Sequence, residues 1–160
     1  MTTVFRDSSD IAIIPLRTEH AAALHRLEAG CFSAPWSEAS IAALADDPRA
    51  VSFAALYKGE PVGYVSMYYV LDAGMINNIA TAPEMRRRGI ATALLRALAD
   101  RCEKLGVREL TLEVRQSNRA AVSLYEKEGF VFVGVRRNYY DSPREDALLY
   151  KKEIKCSTLQ

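Results

Sequence analysis

The stretch Met75–Leu105, MINNIATAPEMRRRGIATALLRALADRCEKL, constrains this chain more than any other, because it reads as a strand, a polar turn and a long helix. Apolar residues at Ile90, Leu94, Leu95, Leu98, Cys102 and Leu105 recur at helical spacing. Gly106 stands where a left-handed cap would close that helix. Pro83 keeps the helix from starting early, so the strand ends at Ile79-Ala80-Thr81 and the turn runs Glu84–Gly89. The first turn of a helix offers unpaired backbone N–H groups and a partial positive charge, which together seat an anion such as phosphate. Gly89 and Ala91 leave room for a bulky anion, and Arg86, Arg87 and Arg88 add guanidinium donors. The turn lacks the Gly-Lys-Ser/Thr of a Walker loop and the GxGxxG of a dinucleotide turn. A solvated basic turn is the plain alternative.

That charge is local. The chain carries a net charge of only +1, so nothing draws it as a whole to nucleic acid or to an anionic membrane. Its 160 residues suffice for one domain with a real core, and no repeat, linker or low-complexity segment marks a second. Cys31, Cys102 and Cys156 are too few and scattered for a disulfide framework or a zinc site, and the first two fall on apolar helix faces as small core residues. His20 and His25 share a helix without the carboxylates or thiols that would complete a metal site. The first twenty residues are interrupted by Arg6, Asp7, Asp10 and Arg17, which argues against a signal peptide or membrane span and for a cytoplasmic protein.

Taken in order, residues 1–10 read as a loose lead-in and Ile11–Leu16 as a short strand. Thr18 is placed to cap a helix carrying Leu24, Leu27 and Cys31, with Gly30 and Pro35 breaking it. Ser37 caps a shorter helix with Ile41 and Leu44 inward. Val51–Tyr57 and Val62–Val70 form a hairpin through Lys58-Gly59-Glu60-Pro61. Glu109–Arg115 alternates cleanly, with Leu110, Leu112 and Val114 on one face and Thr111, Glu113 and Arg115 on the other. Asn118 caps a helix through Ala121, Leu124 and Tyr125 that Gly129 closes. Phe130–Arg137 is a strand, Asn138–Arg144 a polar loop and Asp146–Ile154 the last strand. The order βααβββαβαββ implies a mixed α/β protein with helices on both faces of a sheet of about seven strands.

Glu113 lies near the C-terminal end of its strand, where ligands of α/β proteins tend to bind, and Tyr125 faces inward from the next helix. A carboxylate and a hydroxyl so placed suit general base and general acid work. Each also has an ordinary reading, as an exposed strand carboxylate and as a core aromatic. Asp146 and Glu145 either attract a basic substrate tail or pair with Arg144.

The turn Arg86-x-x-Gly89-x-Ala91 resembles the Arg/Gln-x-x-Gly-x-Gly/Ala pyrophosphate loop of the GNAT acetyltransferases. Leu112-Glu113-Val114-Arg115-Gln116-Ser117-Asn118, with Ala121, Leu124-Tyr125-Glu126 and Gly129-Phe130, is similar to the RimI branch of that family. So are Pro35-Trp36-Ser37-Glu38, Arg136-Arg137-Asn138-Tyr139-Tyr140 and Arg144-Glu145-Asp146-Ala147, which extends the resemblance from about Ile11 to Ile154. It implies a mainly antiparallel sheet splayed between the fourth and fifth strands, with acetyl-CoA in the splay and no metal. It further implies Glu113 as general base and Tyr125 as general acid. Backbone contacts to the co-substrate would come from Ile79, Ala80 and Thr81, pyrophosphate contacts from Arg87, Arg88, Gly89, Ile90, Ala91 and Thr92, and a coenzyme contact from Asn118. Asn77 and Arg86 depart from the commoner residues, apolar and glutamine respectively. RimI proteins acetylate the N-terminal alanine of a small-subunit ribosomal protein, so a protein N-terminus is the expected partner, with Trp36, Tyr139 and Tyr140 as walls of a peptide-sized groove. A lysine or small-amine acetyltransferase and a non-catalytic acetyl-CoA binder stand as alternatives; whether a partner protein is required is left open.

Overall fold

The computed structural model describes residues 3–5 and 11–155, the first three by backbone alone. Eight strands form one sheet: β1 (Thr3–Phe5), β2 (Ile11–Pro15), β3 (Ala50–Tyr57), β4 (Glu60–Val70), β5 (Ala73–Thr81), β6 (Glu109–Arg115), β7 (Val131–Asp141) and β8 (Arg144–Glu153). Four α-helices accompany them: α1 (Ala21–Cys31), α2 (Glu38–Leu44), α3 (Ile90–Leu105) and α4 (Arg119–Lys127). The strand order is β1-β2-β3-β4-β5-β6-β8-β7, and every neighbouring pair is antiparallel except β5 and β6.

Alternation along the strands sends side chains to two cores. Tyr64 and Ala80 pack with Leu16, Leu24, Ile41 and Leu44 under α1 and α2. Val65, Met67, Leu110 and Leu112 pack with Ile90, Leu94, Leu98 and Cys102 of α3 and with Tyr125 of α4 on the opposite face. The expected stripe of α3 is therefore its buried face. Gly63 permits the close approach of α3: a Cβ there would stand 2.9 Å from the Ala80 carbonyl and 3.3 Å from Ile90 Cγ2. Leu94, fully buried at the centre of this contact, gives a stability test. Leu94→Ala is expected to cost about 2–5 kcal/mol in chemical denaturation, the usual range for a cavity of that size.

Several sequence expectations need correction. The lead-in contains β1, which pairs with β2 through Thr3↔Ile13 and Phe5↔Ile11 and adds an eighth strand at the edge. Gly30 lies within α1 rather than ending it. Thr18 makes no cap; a 3-10 turn, Thr18–His20, precedes α1, and His20 Nδ1 accepts the Arg17 N–H at 3.0 Å. Ser37 caps α2 as expected, accepting the Ser40 N–H at 3.1 Å. The loop expected at Asn138–Arg144 shrinks to a turn, because β7 passes an irregular register between Arg136 and Tyr140 and then re-pairs through Tyr140↔Glu145. Tyr139 and Tyr140 thus sit on a strand, not a loop.

Candidate active site

Strands β5 and β6 pair only through Ala73↔Glu109, Gly74↔Leu110 and Met75↔Thr111. Beyond Met75, β5 follows β4 to Thr81 while β6 follows β8 to Arg115. The two strands part and leave facing backbone edges unpaired between them. A bulge helps: Ser66 pairs with Asn78 and Met67 with Ile76, so Asn77 is the extra residue, and a bulge bends its strand. The splay expected between the fourth and fifth of seven strands is this opening, with the extra N-terminal strand shifting the count by one.

The anion turn stands at the end of β5. Gly89, at φ 78°, is the N-cap of α3 and supplies no side-chain cap; the first intrahelical bond runs from the Ala93 N–H to the Gly89 carbonyl at 3.0 Å. The amides of Ile90, Ala91 and Thr92 are thereby left to a ligand. Arg87 also has a left-handed backbone, φ 65°, and turns of this kind gather N–H groups into a concave anion seat. Arg87 and Arg88 are exposed and enter no ion pair among the described residues. Arg86 is committed elsewhere: its Nε donates to the Thr81 carbonyl at 3.4 Å and its Nη2 to Cys31 Sγ at 3.5 Å. Two guanidiniums rather than three stand ready for phosphate. Arg87→Ala and Arg88→Ala are each expected to raise the KM for a pyrophosphate-bearing co-substrate about three- to five-fold, an effect that shrinks as ionic strength rises.

Glu113 projects from β6 on the partly exposed face, as its alternation requires. Its Oε1 lies 3.2 Å from Arg136 Nε on β7. The Tyr139 phenol is held above its usual value first by a hydrogen bond to Glu113. Tyr139 and Tyr140 meet edge to face at 5.0 Å, and the Arg115 guanidinium lies 4.2 Å over the Tyr140 ring. Burial, then the Glu113 charge, pushes Tyr140 up to about 12. Tyr125 is buried and abuts this cluster; burial first and Tyr140 second push its phenol well above the ordinary range, so it stays protonated. The structure therefore gathers Glu113, Tyr125, Tyr139 and Tyr140 at one end of the opening.

Asn118 caps α4, its Oδ1 accepting the Ala121 N–H at 3.2 Å, which leaves its Nδ2 for a ligand. Glu145 pairs with Arg115 at 3.3 Å and accepts the Ser117 N–H, rather than pairing with Arg144. Asp146 accepts the Asn138 N–H at 2.8 Å. Trp36 lies on the segment between α1 and α2, which reaches the β7–β8 turn through Ser33 Oγ, donating to the Ser142 carbonyl at 2.8 Å.

The profile of the Acetyltransferase (GNAT) family matches residues 21–130. A [ribosomal protein bS18]-alanine N-acetyltransferase from Escherichia coli K12 is 39% identical over 86% of this chain and 93% of its own length. The chain belongs to the GNAT acetyltransferase family. A putative [ribosomal protein bS18]-alanine N-acetyltransferase from Bacillus subtilis is 35% identical over 86% of this chain and 92% of its own. The crystal structure of the ribosomal-protein-S18-alanine N-acetyltransferase from Escherichia coli superposes with a TM-score of 0.84 at 37% identity, covering 92% of this chain and 96% of that one. As a GNAT acyltransferase the chain takes its acetyl group from acetyl-CoA. The open amides of α3 and the unpaired edge of β5 fit such a co-substrate, with a diphosphate at one end and an amide-rich arm at the other.

Sequence reasoning passed over other polar residues around this GNAT site. Arg136 pairs with Glu113 from a strand far along the chain, a contact no local pattern announces. Cys31, expected in the core, is half-buried at the end of β5, where its thiol donates to the Thr81 carbonyl at 3.7 Å. Glu28 is a buried and Asn78 a half-buried polar residue in otherwise apolar runs, and that interruption is the available signal. Cys156 lies outside the described residues. No described helix is long and apolar enough to cross a membrane.

Proposed function

We propose that this chain, acting as a single domain, transfers the acetyl group of acetyl-CoA to the α-amine of a protein N-terminus, with the N-terminal alanine of a small-subunit ribosomal protein as its leading target. The observation that carries the reading is that a partly exposed carboxylate, Glu113, and a buried phenol, Tyr125, both interact with Tyr140, between them at the mouth of the β5–β6 opening. Acetyl-CoA supplies the activation, a thioester. Glu113 takes the amine's proton, directly or through water, as the nitrogen forms its bond to the acyl carbon. Tyr125 gives its proton to the sulfur as the carbon–sulfur bond breaks. The backbone edge of Ile79–Thr81 that β6 leaves unpaired holds the acyl arm and its carbonyl, and Arg87–Thr92 with Asn118 hold the nucleotide end. Trp36, Tyr139 and Tyr140 wall the acceptor's path. A ribosomal-protein target places the chain's work in the cytoplasm.

Acid–base matching favours an α-amine. It titrates near pH 8 against about 10.4 for lysine, so roughly a tenth of α-amines are neutral at pH 7 but only about a few in ten thousand lysines. A single carboxylate suffices for the first. The test is mass spectrometry of peptides differing only at residue 1, incubated with purified protein and acetyl-CoA. Acetylation mainly of an Ala-starting ribosomal peptide supports the narrow target, acetylation of many first residues replaces it with a broad terminal activity, and acetyl-CoA binding without any transfer overturns the proposal.

A further inference from the structure

Trp36 is held by far more than packing. Its backbone N–H donates to Glu28 Oε1 at 3.0 Å. Its backbone carbonyl accepts from His25 Nδ1 at 2.8 Å. With the Asn78 amide turned to suit its neighbours, the Asn78 oxygen accepts the Trp36 indole N–H at 3.1 Å and the Tyr64 hydroxyl at 3.2 Å, while its nitrogen donates to the Asn77 carbonyl at 3.1 Å. The opposite orientation offers one 3.4 Å bond to Glu28 Oε1 and sets the indole N–H against another N–H, so it satisfies fewer groups. All three polar groups of Trp36 are thus bound, two by α1 and one by β5.

The buried groups that do this are costly. Glu28 is only 1% exposed and stands one helical turn from Leu24 on the face that packs on the sheet, where burial raises its carboxyl's pKa and the Trp36 amide and Tyr64 hydroxyl oppose the rise. Tyr64, fully buried beneath it, also carries a hydroxyl into this core. A wall that needed only to be apolar would require none of these groups. Asn78 is the residue before Ile79, so the network ties the α1–α2 segment to the strand that lines the opening. Trp36 itself lines an open groove of about 470 Å³ with Pro35, Ser37, Ser40, Ala43 and Tyr68.

We infer that Glu28 and Asn78 are positioning residues for the acceptor: they fix Trp36 as a rigid wall against the first residues of the incoming protein N-terminus. The inference rests on the acceptor proposed above. It is testable apart from it, because the sequence contains a single tryptophan among eight tyrosines, so emission excited on the red side of the tyrosine band reports Trp36 alone. In Glu28→Ala, the emission is expected to shift to the red and become more quenchable by acrylamide. The KM for an Ala-starting peptide is expected to rise about ten-fold, equivalent to about 1.4 kcal/mol, with the KM for acetyl-CoA unchanged. Glu28→Gln keeps an acceptor for the Trp36 N–H and is expected to behave like the parent chain. Should Glu28→Ala fail to fold, Asn78→Leu removes the indole's acceptor and is expected to give the same pattern. Unaltered emission overturns the clamp. Altered emission with an unchanged peptide KM, or with both KM values raised together, overturns its role in positioning the acceptor. If the parent chain acetylates no peptide N-terminus, the acceptor proposal fails, and the emission of the two Glu28 variants still decides the clamp.

Discussion

Glu113→Gln is expected to lower kcat by two to four orders of magnitude while leaving acetyl-CoA affinity within about two-fold, the loss typical of a missing general base. The amide keeps the shape of the side chain and can still accept from Arg136 and Tyr139, which surround the carboxylate. What it cannot do is take a proton. Separate measurement of acetyl-CoA binding by calorimetry and of turnover on a free α-amine peptide distinguishes the outcomes. Lost binding with unchanged turnover of whatever binds would make Glu113 a structural residue. The deficit should narrow as pH rises toward 9, because more of the amine is then already neutral and less depends on the base.

Tyr125→Phe is expected to reduce kcat about 100-fold, again with little effect on co-substrate binding. Its environment gives the reason. Burial disfavours the phenolate and the Tyr140 ring beside it adds to the effect, so the phenol holds its proton far into alkaline solution. The sign of the shift matters: a raised value keeps the donor form present across the working range. The parent enzyme should therefore show no alkaline loss of kcat near pH 10, where an ordinary tyrosine would ionise. Such a loss, or unchanged kcat in Tyr125→Phe, would remove this hydroxyl from thiolate protonation. The substitution deletes only a hydroxyl from a ring packed edge to face on Phe130 at 5.7 Å, so the fold should be retained.

Much of this site was legible before any coordinates, for local reasons. The α3 stripe, the left-handed Gly106 and the alternation of Glu109–Arg115 all follow from nearest neighbours along the chain, and each recurs in the structure. Asn118 and Ser37 act as caps because an N-cap depends on residues only two or three positions away. Residues 138–141 resemble a loop in sequence because Asn138 and Asp141 are polar residues that favour turns, and Asn138 does take a left-handed backbone, φ 52°. Pairing with Glu145 and Arg144 across a tight turn returns the segment to strand, and the register that allows it depends on the whole length of β8. Thr18 was misread as a cap because a 3-10 turn before α1 brings the His20 ring, not a hydroxyl, to the free amide of Arg17.

Roles in the site depend on contacts between distant segments, and there the resemblance carried what spacing did not. Arg86 looked like a third phosphate donor until Thr81 and Cys31 were seen to hold it. Glu28 breaks an apolar face at Leu24 and Leu27, and Asn77-Asn78 breaks the run from Met75 to Ala80. Each is unremarkable alone. Their meaning emerges when the sheet brings Asn78 against Trp36 and Tyr64.

The most direct measurement compares kcat/KM for two peptides at pH 7 with saturating acetyl-CoA. One begins with a free alanine α-amine and lacks lysine; the other is blocked at its N-terminus and carries one internal lysine. A rate at least 100-fold higher on the free α-amine is expected from Glu113, Tyr125 and the ionisation of the two amines. Equal or faster acetylation of the blocked lysine peptide would contradict it and assign this GNAT site to side-chain amines instead.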